Sequence, residues 1–437
     1  MTEISSFEEV IDERKFAGIL QSSCEVYFRL ANTLRARAEQ GWNRKHYFQL
    51  YNETDALESF LDDYGARVNR TYNTFRELVA SLRGFSQAGH SITHLSSRLD
   101  SYGVLGRLGA EDAEDFQVSI RRVGAFIRLS VVEMLGATFE ESDELGMEVT
   151  PAVFPEQNFA PVHARQRLPR NIDEEEARDE CQKIAEIASK YLQACDVLRD
   201  LRVRRIDNAS ERAQYLTDVC TEEQARVYEA TVHNLQSSYD TYLKNTVLEA
   251  QDERLSQLRG HISAALHTLQ AVTHLTHFHE RHENDIRSEG AQRRISSIVH
   301  RAEVQEMVLN HLLYWADRLL DQGRRLALAI LPEYTNAQEL EVELRGNLVL
   351  HARPAALIVG IVNHFGTPVE MEVAGQRCNA ASILELLVTV GSHPDERKFV
   401  FRGDENPLRD IGLLFQYGLG EEGIENLPSD LSYLRAN

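Results

Sequence analysis

Apolar residues recur at helical spacing through most of the first 330 positions of this 437-residue chain. One set advances in steps of four and three residues and comprises Ile184, Ala188, Tyr191, Cys195 and Leu198. That spacing is typical of a helix face that packs against a partner helix. It returns over residues 228–242 and 258–272. We therefore predict long antiparallel helices, arranged as a helical bundle or coiled coil.

The pattern changes after residue 336. Leu340-Glu-Val-Glu-Leu344 alternates apolar and polar residues, which is the period of a half-buried strand. A compact apolar run follows at 354–362 and predicts a helix that starts with Pro354 in its first turn, where proline sacrifices no intrahelical hydrogen bond. The C-terminal part of the chain is therefore predicted to mix strands and helices.

Prolines mark the boundaries between these regions. None precedes Pro151, four lie between Pro151 and Pro169, and the next is Pro332. Because prolines cluster in connectors and interrupt helices, they divide the chain. We predict five segments: a helical block at 1–150, a proline-rich connector at 151–170, a long-helix bundle or coiled coil at 171–332, an α+β domain at 337–420 and a C-terminal tail at 421–437.

His351 and Arg353 are placed between the predicted strand and the predicted helix. Free backbone N–H groups and the positive end of the helix dipole meet at a helix N-terminus, and both favour an anion. A nucleophilic imidazole beside a guanidinium suits a transient phosphohistidine, because the ring attacks phosphorus and the cation balances the charge. The alternative is that His351 only caps the helix.

The wider sequence favours the first interpretation. His351-Ala-Arg353-Pro354-Ala-Ala resembles the active-site motif of the HPr family, the histidine phosphocarriers of the sugar phosphotransferase system. Asn379-Ala-Ala-Ser382-Ile383-Leu384 is similar to the second signature of that family, and the resemblance covers about residues 337–420. It implies an open-faced βαββαβα sandwich, with a four-stranded antiparallel sheet covered by helices on one side. We predict strands near 339–345, 368–373, 375–379 and 397–402, and helices near 353–364, 382–390 and 407–418.

The resemblance also implies roles for individual residues. His351 would accept a phosphoryl group from a phosphoenolpyruvate-dependent donor resembling enzyme I and pass it to an acceptor resembling enzyme IIA or to a regulatory protein. Arg353 would stabilise the phosphoryl charge. Ser382 matches the regulatory serine of the family, which implies a serine kinase as a partner, although a helix N-cap alone explains a serine there. The implied docking patch comprises Ile383, Leu384 and Leu387, which serve equally well as core residues.

Some positions depart from the family pattern. Val349 stands where the family usually has glycine, and Ala381 replaces the basic residue that often precedes the regulatory serine. Residues 337–437 carry 8 Lys and Arg against 15 Asp and Glu. Members of the family dock on acidic partner surfaces, so this acidic balance puts the usual partners in doubt.

Two other functions are compatible with the sequence. In the first, the helical blocks form a signalling or regulatory scaffold, and the HPr-like domain only senses phosphorylation state. In the second, the helical bundle binds a metal through histidines at helical spacing, namely His274, His277, His279 and His282. His90 and His94 lack the glutamate of a metalloprotease motif and are interpreted as surface or seam residues.

No nucleotide-binding motif is found, so we expect a phosphotransfer intermediate without a cofactor rather than a stand-alone enzyme.

Composition restricts the ligands and the cellular location that we expect for the protein. A formal net charge of −21 disfavours binding to nucleic acid. Five scattered cysteines suit a reducing cytoplasm, and no apolar run is long enough for a transmembrane helix. We therefore expect a cytoplasmic protein without a membrane span. The long helical seam also predicts a homo-oligomer, since such a surface needs a partner.

Overall fold

The structure is a computed structural model of the chain. It describes residues 10–149, 152–159, 180–284, 288–346 and 348–435. Most of the predicted connector lies outside the described residues, as does Asn347. Among the helices that the structure describes, none combines the length and the apolar character needed to cross a bilayer.

Before residue 331, the regular elements that the structure describes are helices. Their bounds are α1 Glu13–Ser23, α2 Glu25–Ala36, α3 Arg44–Asp63, α4 Asn73–Tyr102, α5 Ala110–Glu144, α6 Glu180–Arg199, α7 Ala209–Val219, α8 Glu222–Tyr242, α9 Val247–Gln251, α10 Glu253–His277, α11 Glu289–Ser296, α12 Arg301–Glu306 and α13 Tyr314–Ile330. The segments Phe278–Asn284 and Met307–Leu313 are π-helical. At 1.5 Å per residue, α4 and α5 are each roughly 45–50 Å long. The prediction of long helices is confirmed.

The chain divides into two compact units, and the first comprises Met1–Arg167, Leu198–His233 and Gly260–Leu320. Within it, α4 packs against α3, α5 and α11. Helix α10 also approaches α4 closely, because a Cβ atom built on Gly260 would lie 2.0 Å from the carbonyl oxygen of Tyr102. Only glycine permits so short an approach between a helix and another backbone.

The second unit comprises Leu168–Val197, Asn234–Arg259 and Asp321–Asn437. Its C-terminal part contains the strands and three helices, whose bounds are β1 Ala337–Glu343, α14 Ala352–Phe365, β2 Val369–Val373, β3 Gln376–Asn379, α15 Ile383–Ser392, β4 Lys398–Asp404 and α16 Glu405–Gln416. The sheet is antiparallel with strand order β1-β4-β2-β3. The predicted βαββαβα order and α+β class are confirmed.

The two faces of this sheet differ because side chains alternate along each strand. Met371 and Phe401, paired on β2 and β4, are fully buried and belong to the core that α14, α15 and α16 complete. On the other face Arg402 bridges β1 and β2, with its Nε 2.7 Å from Glu339 Oε2 and its Nη1 2.6 Å from Glu372 Oε2. The sheet thus has helices on one side and an ionic face on the other.

The segment after α16 also packs on this core. It forms short 3-10 helices at Gly418–Gly420, Ile424–Asn426 and Ser429–Arg435. Leu427, Leu431 and Leu434 are buried and join the same apolar cluster as the sheet. The residues from 421 to 435 therefore contribute to the core beside α14.

Candidate functional site

His351 is the N-cap of α14. Its backbone is extended (φ −103°, ψ −166°), and its carbonyl oxygen accepts the first helical hydrogen bond, from the Ala355 N–H at 3.0 Å. Pro354 occupies the first turn, where no intrahelical N–H bond is lost. The His351 side chain is 51% exposed. A residue with extended backbone at this position places its ring over the free N–H groups of the first helical turn.

One nitrogen of the His351 ring is already in use as an acceptor. The backbone N–H of Arg353 donates to Nδ1 over 3.4 Å. An imidazole nitrogen that accepts carries a lone pair, so the proton of the neutral ring belongs on Nε2. The local helix geometry thereby keeps the lone pair on Nδ1.

The other nitrogen lies beside a carboxylate. His351 Nε2 is 2.8 Å from Oε1 of Glu421, which follows the short helix Gly418–Gly420. Positive charge that develops on the ring when Nδ1 forms a new bond would be stabilised by this carboxylate. Glu421 is not among the site residues predicted from the sequence.

Arg353 adds positive charge to the same end of α14. Its side chain is exposed, and no carboxylate in the part of the chain that the structure describes pairs with it. The positive end of the helix dipole lies at this terminus as well. A guanidinium, backbone N–H groups and an imidazole lone pair therefore belong to the same helix terminus, which favours an anion.

Comparison with known proteins identifies this part of the chain. A family model, PTS-HPr, described as the PTS HPr component phosphorylation site, matches residues 338–405. Those residues form an HPr domain. The N-terminal region matches no family model, and neither the curated proteins nor the solved structures gave a match. The HPr domain links the chain to the phosphocarriers of the phosphotransferase system, whose general partners are enzyme I and IIA proteins.

Ser382 lies at the second signature of the HPr domain. It is the N-cap of α15, and its hydroxyl oxygen accepts a hydrogen bond from the Glu385 N–H at 3.3 Å. The Glu385 carboxylate in turn accepts from the Asn379 N–H at 3.0 Å. Because its hydroxyl caps α15, this structural role alone accounts for a serine at position 382. Its regulatory phosphorylation stays a prediction.

The predicted docking residues lie on α15 of the HPr domain. Ile383 and Leu384 are exposed, at 41% and 69%, whereas Leu387 is half-buried against the core. Val388, which the sequence analysis did not single out, is 56% exposed and shares their helix face because residues four apart align. The exposed apolar surface thus comprises Ile383, Leu384 and Val388, with Leu387 beneath it.

The helical histidines have separate surroundings. His277 Nδ1 lies 3.0 Å from Glu222 Oε1, and His279 Nε2 lies 3.4 Å from the side-chain nitrogen of Gln305. His274 lines a cavity between helices, and the His282 side chain lies outside the described residues. Among the residues that the structure describes, no three potential ligands form a group able to hold a metal ion. The described members of the predicted metal set therefore face different neighbours.

Proposed function

We propose that this protein is a phosphocarrier and that His351 carries the phosphoryl group on Nδ1. The observation that carries the proposal is the Nδ1 lone pair, held at the N-terminus of α14 on a half-exposed ring within an HPr domain. Nδ1 accepts only a long hydrogen bond of 3.4 Å, which an incoming phosphorus atom can replace.

The transfer is a displacement at phosphorus. The Nδ1 lone pair of His351 forms the new N–P bond, while the bond between phosphorus and the donor breaks and its electron pair stays with the donor. The ring then carries positive charge, with its proton on Nε2 beside Glu421. Delivery to the acceptor reverses these steps, and the electron pair of the N–P bond returns to Nδ1.

Charge stabilisation explains the placement of Arg353. The phosphoryl oxygens would lie at the positive end of α14, where the guanidinium can approach them from the same helical turn. Arg353 has no competing carboxylate among the described residues. Its charge is therefore available to the phosphoryl group.

The proposed partners follow from the domain. The donor would be a phosphoenolpyruvate-dependent protein resembling enzyme I, and the acceptor would resemble enzyme IIA or a regulatory protein. Ile383, Leu384 and Leu387 would form the docking patch. We propose residues 337–420 as the carrier domain and the helical region before residue 332 as a regulatory or oligomerising region.

Phosphorylation of the full-length chain tests the proposal. Incubation with enzyme I and labelled phosphoenolpyruvate should place an acid-labile phosphate on the wild type, and His351→Ala should abolish the label because the nucleophile is lost. The matched control is His393→Ala, which removes another, partly buried histidine of the same region and should be labelled normally.

Two results would contradict the assignment. The first is a label that persists in His351→Ala. The second is a wild-type chain that stays unlabelled while the same enzyme I phosphorylates a separate HPr protein. Circular dichroism of each variant would show that the fold is retained.

A further inference from the structure

A cavity of about 390 Å³ opens between α3, α4 and α10 in the first compact unit. The residues that give it its chemistry are Arg44, His90, His94, His267, Gln270 and His274. Neither Asp nor Glu is among its lining residues, although the chain has 68 acidic residues against 47 basic ones. The cavity is therefore basic within a strongly acidic protein.

Arg44 determines which nitrogens of two histidines carry protons. Its Nε donates to His90 Nε2 at 2.8 Å, and its Nη1 lies 2.9 Å from His94 Nδ1. A guanidinium can only donate, so both ring nitrogens must be unprotonated acceptors. His94 Nε2 then carries the proton and lies 3.1 Å from the Tyr102 hydroxyl. Arg44 is thus paired with two neutral rings and with no carboxylate of the described residues.

Helix α10 supplies further donors. The side-chain oxygen of Gln270 accepts from the Ser91 hydroxyl at 3.2 Å and lies 2.9 Å from His267 Nδ1. Its oxygen is therefore occupied, and its amide N–H groups have no hydrogen-bond partner among the described residues. The same holds for the ring nitrogens of His274. The cavity offers unused hydrogen-bond donors beside a fixed positive charge.

The titratable groups that lower the pKa of these histidines, in addition to burial, are basic. Burial lowers the pKa of His90 to about 4, helped by Arg44 and His267, and that of His94 to about 3, helped by His267, Arg44, Arg98 and His90. Burial likewise lowers the pKa of His274 to about 3, and the groups that add to this effect are again basic. An anion is the ligand charge that such surroundings favour.

We propose that this cavity binds a small oxyanion, a phosphorylated or carboxylated metabolite, with Arg44 as its counter-charge. A guanidinium binds carboxylate and phosphate oxygens in a bidentate manner and more strongly than it binds neutral imidazoles. The volume suits a metabolite rather than a macromolecule. A metal ion is disfavoured, because the Arg44 guanidinium already lies against one nitrogen of each of His90 and His94.

The arrangement also couples binding to protons. When the oxyanion engages Arg44, the nitrogens His90 Nε2 and His94 Nδ1 lose their donor and gain a neighbouring negative charge. Both changes raise the affinity of these rings for a proton. Binding should therefore be accompanied by proton uptake and strengthen at lower pH. This inference is independent of the phosphocarrier proposal, since none of these residues takes part in phosphoryl transfer.

Calorimetric titration of the full-length protein tests the site, with inorganic phosphate, citrate and sulfate as probes. We expect wild type to bind phosphate or citrate, and Arg44→Gln to weaken that binding at least about tenfold. Gln270→Glu should have the same effect, because it places a negative charge in the cavity with little change of shape. The matched control Arg121→Gln removes an exposed arginine of α5 and should change the affinity less than about twofold.

Sulfate reports the proton uptake, because its own charge is constant between about pH 6 and pH 8. Its affinity should be higher at the lower pH, and the heat should vary with the ionisation enthalpy of the buffer. Preference for phosphate or for citrate would assign the ligand to the phosphorylated or the carboxylated class. The proposal is overturned if wild type binds neither, or if Arg44→Gln and Gln270→Glu, folded by circular dichroism, bind as wild type does.

Discussion

Glu421 is a candidate for orienting the His351 ring. It lies 2.8 Å from His351 Nε2, and the Arg353 N–H occupies the other ring nitrogen. The two contacts together favour the tautomer that leaves the Nδ1 lone pair available. Glu421 would therefore act as a positioning residue, through His351 rather than on the phosphoryl group.

We expect Glu421→Gln to slow phosphorylation of His351 by roughly three- to tenfold. The substitution keeps the shape but removes the charge that stabilises the developing imidazolium, and partial exposure of the pair limits the effect to about 1 kcal/mol. The measurement is the initial rate of labelling at limiting enzyme I. Nitrogen NMR of the His351 ring should also show a smaller share of the Nε2–H tautomer, which a merely structural role would not change.

Glu422→Gln is the matched control for this variant. It makes the same change of charge one residue further along, at an exposed position, and should leave the labelling rate and the tautomer unchanged. Equal slowing in both variants would refute the positioning role, because it would show an effect of net charge alone.

His351 and Arg353 could be predicted from the sequence, whereas Glu421 could not, and the difference has a physical reason. His351 and Arg353 belong to one helical turn, so their spacing alone predicts that they share an anion-binding terminus. Glu421 reaches His351 only after the sheet and α16 have folded, and a lone glutamate in an apparent tail carries no local signal. The Arg44 cavity is similar, because its residues come from three helices distant in sequence.

Among the helices, the close contact of α10 with α4 restricts position 260 to glycine. Gly260 lies inside α10, where glycine is otherwise unfavourable by about 1 kcal/mol relative to alanine. A Cβ atom there would lie 2.0 Å from the Tyr102 carbonyl oxygen and 3.3 Å from its Cα. The opposing atoms belong to a backbone and cannot rotate away.

Gly260→Ala should therefore destabilise the protein despite its better helix propensity. The clash forces α10 and α4 apart, and we expect a loss of about 3 kcal/mol or more in the free energy of unfolding, measured in urea. Gly18→Ala is the matched control, because Gly18 lies in α1 with nothing within 4 Å of its built Cβ. It should stabilise the protein by roughly 0.5–1 kcal/mol, and the same sign in both variants would contradict the proposed clash.

The spacing of apolar residues predicted that helices form in this region better than it predicted where each helix ends. Apolar spacing resumes at 258–272 after an interruption, and a helix continuous from 221 to 283 would be about 90 Å long. However, α8 ends at Tyr242. Asn245 adopts a left-handed conformation (φ 65°), and the Thr246 side chain caps α9. Asparagine tolerates this conformation, and threonine competes with the helix for backbone hydrogen bonds. The spacing of hydrophobic residues carries no information about either effect.

Across the chain, buried histidines connect stability to pH. Six histidines of the described residues, all in the first compact unit, have their pKa lowered to between about 3 and 4, chiefly by burial: His46, His90, His94, His261, His274 and His311. The ordinary value is 6.5. Between about pH 6.5 and pH 4 the unfolded chain therefore binds more protons than the folded one. Stability must then rise with pH in this window.

The helical unit should consequently lose stability as the pH falls from about 7 to 5, before most carboxylates titrate. Each fully shifted histidine contributes up to about 1.4 kcal/mol per pH unit, and the half-buried rings contribute less. Urea unfolding at a series of pH values, in buffers without oxyanions, measures the slope. His274→Gln should reduce this slope by up to the equivalent of about one proton, and it breaks no hydrogen bond, because the ring forms none within the described part of the chain. His300→Gln, at an exposed helix N-cap, should leave the slope unchanged. A free energy of unfolding that stays constant from pH 7 to pH 5 would show that these histidines are not held neutral by the fold.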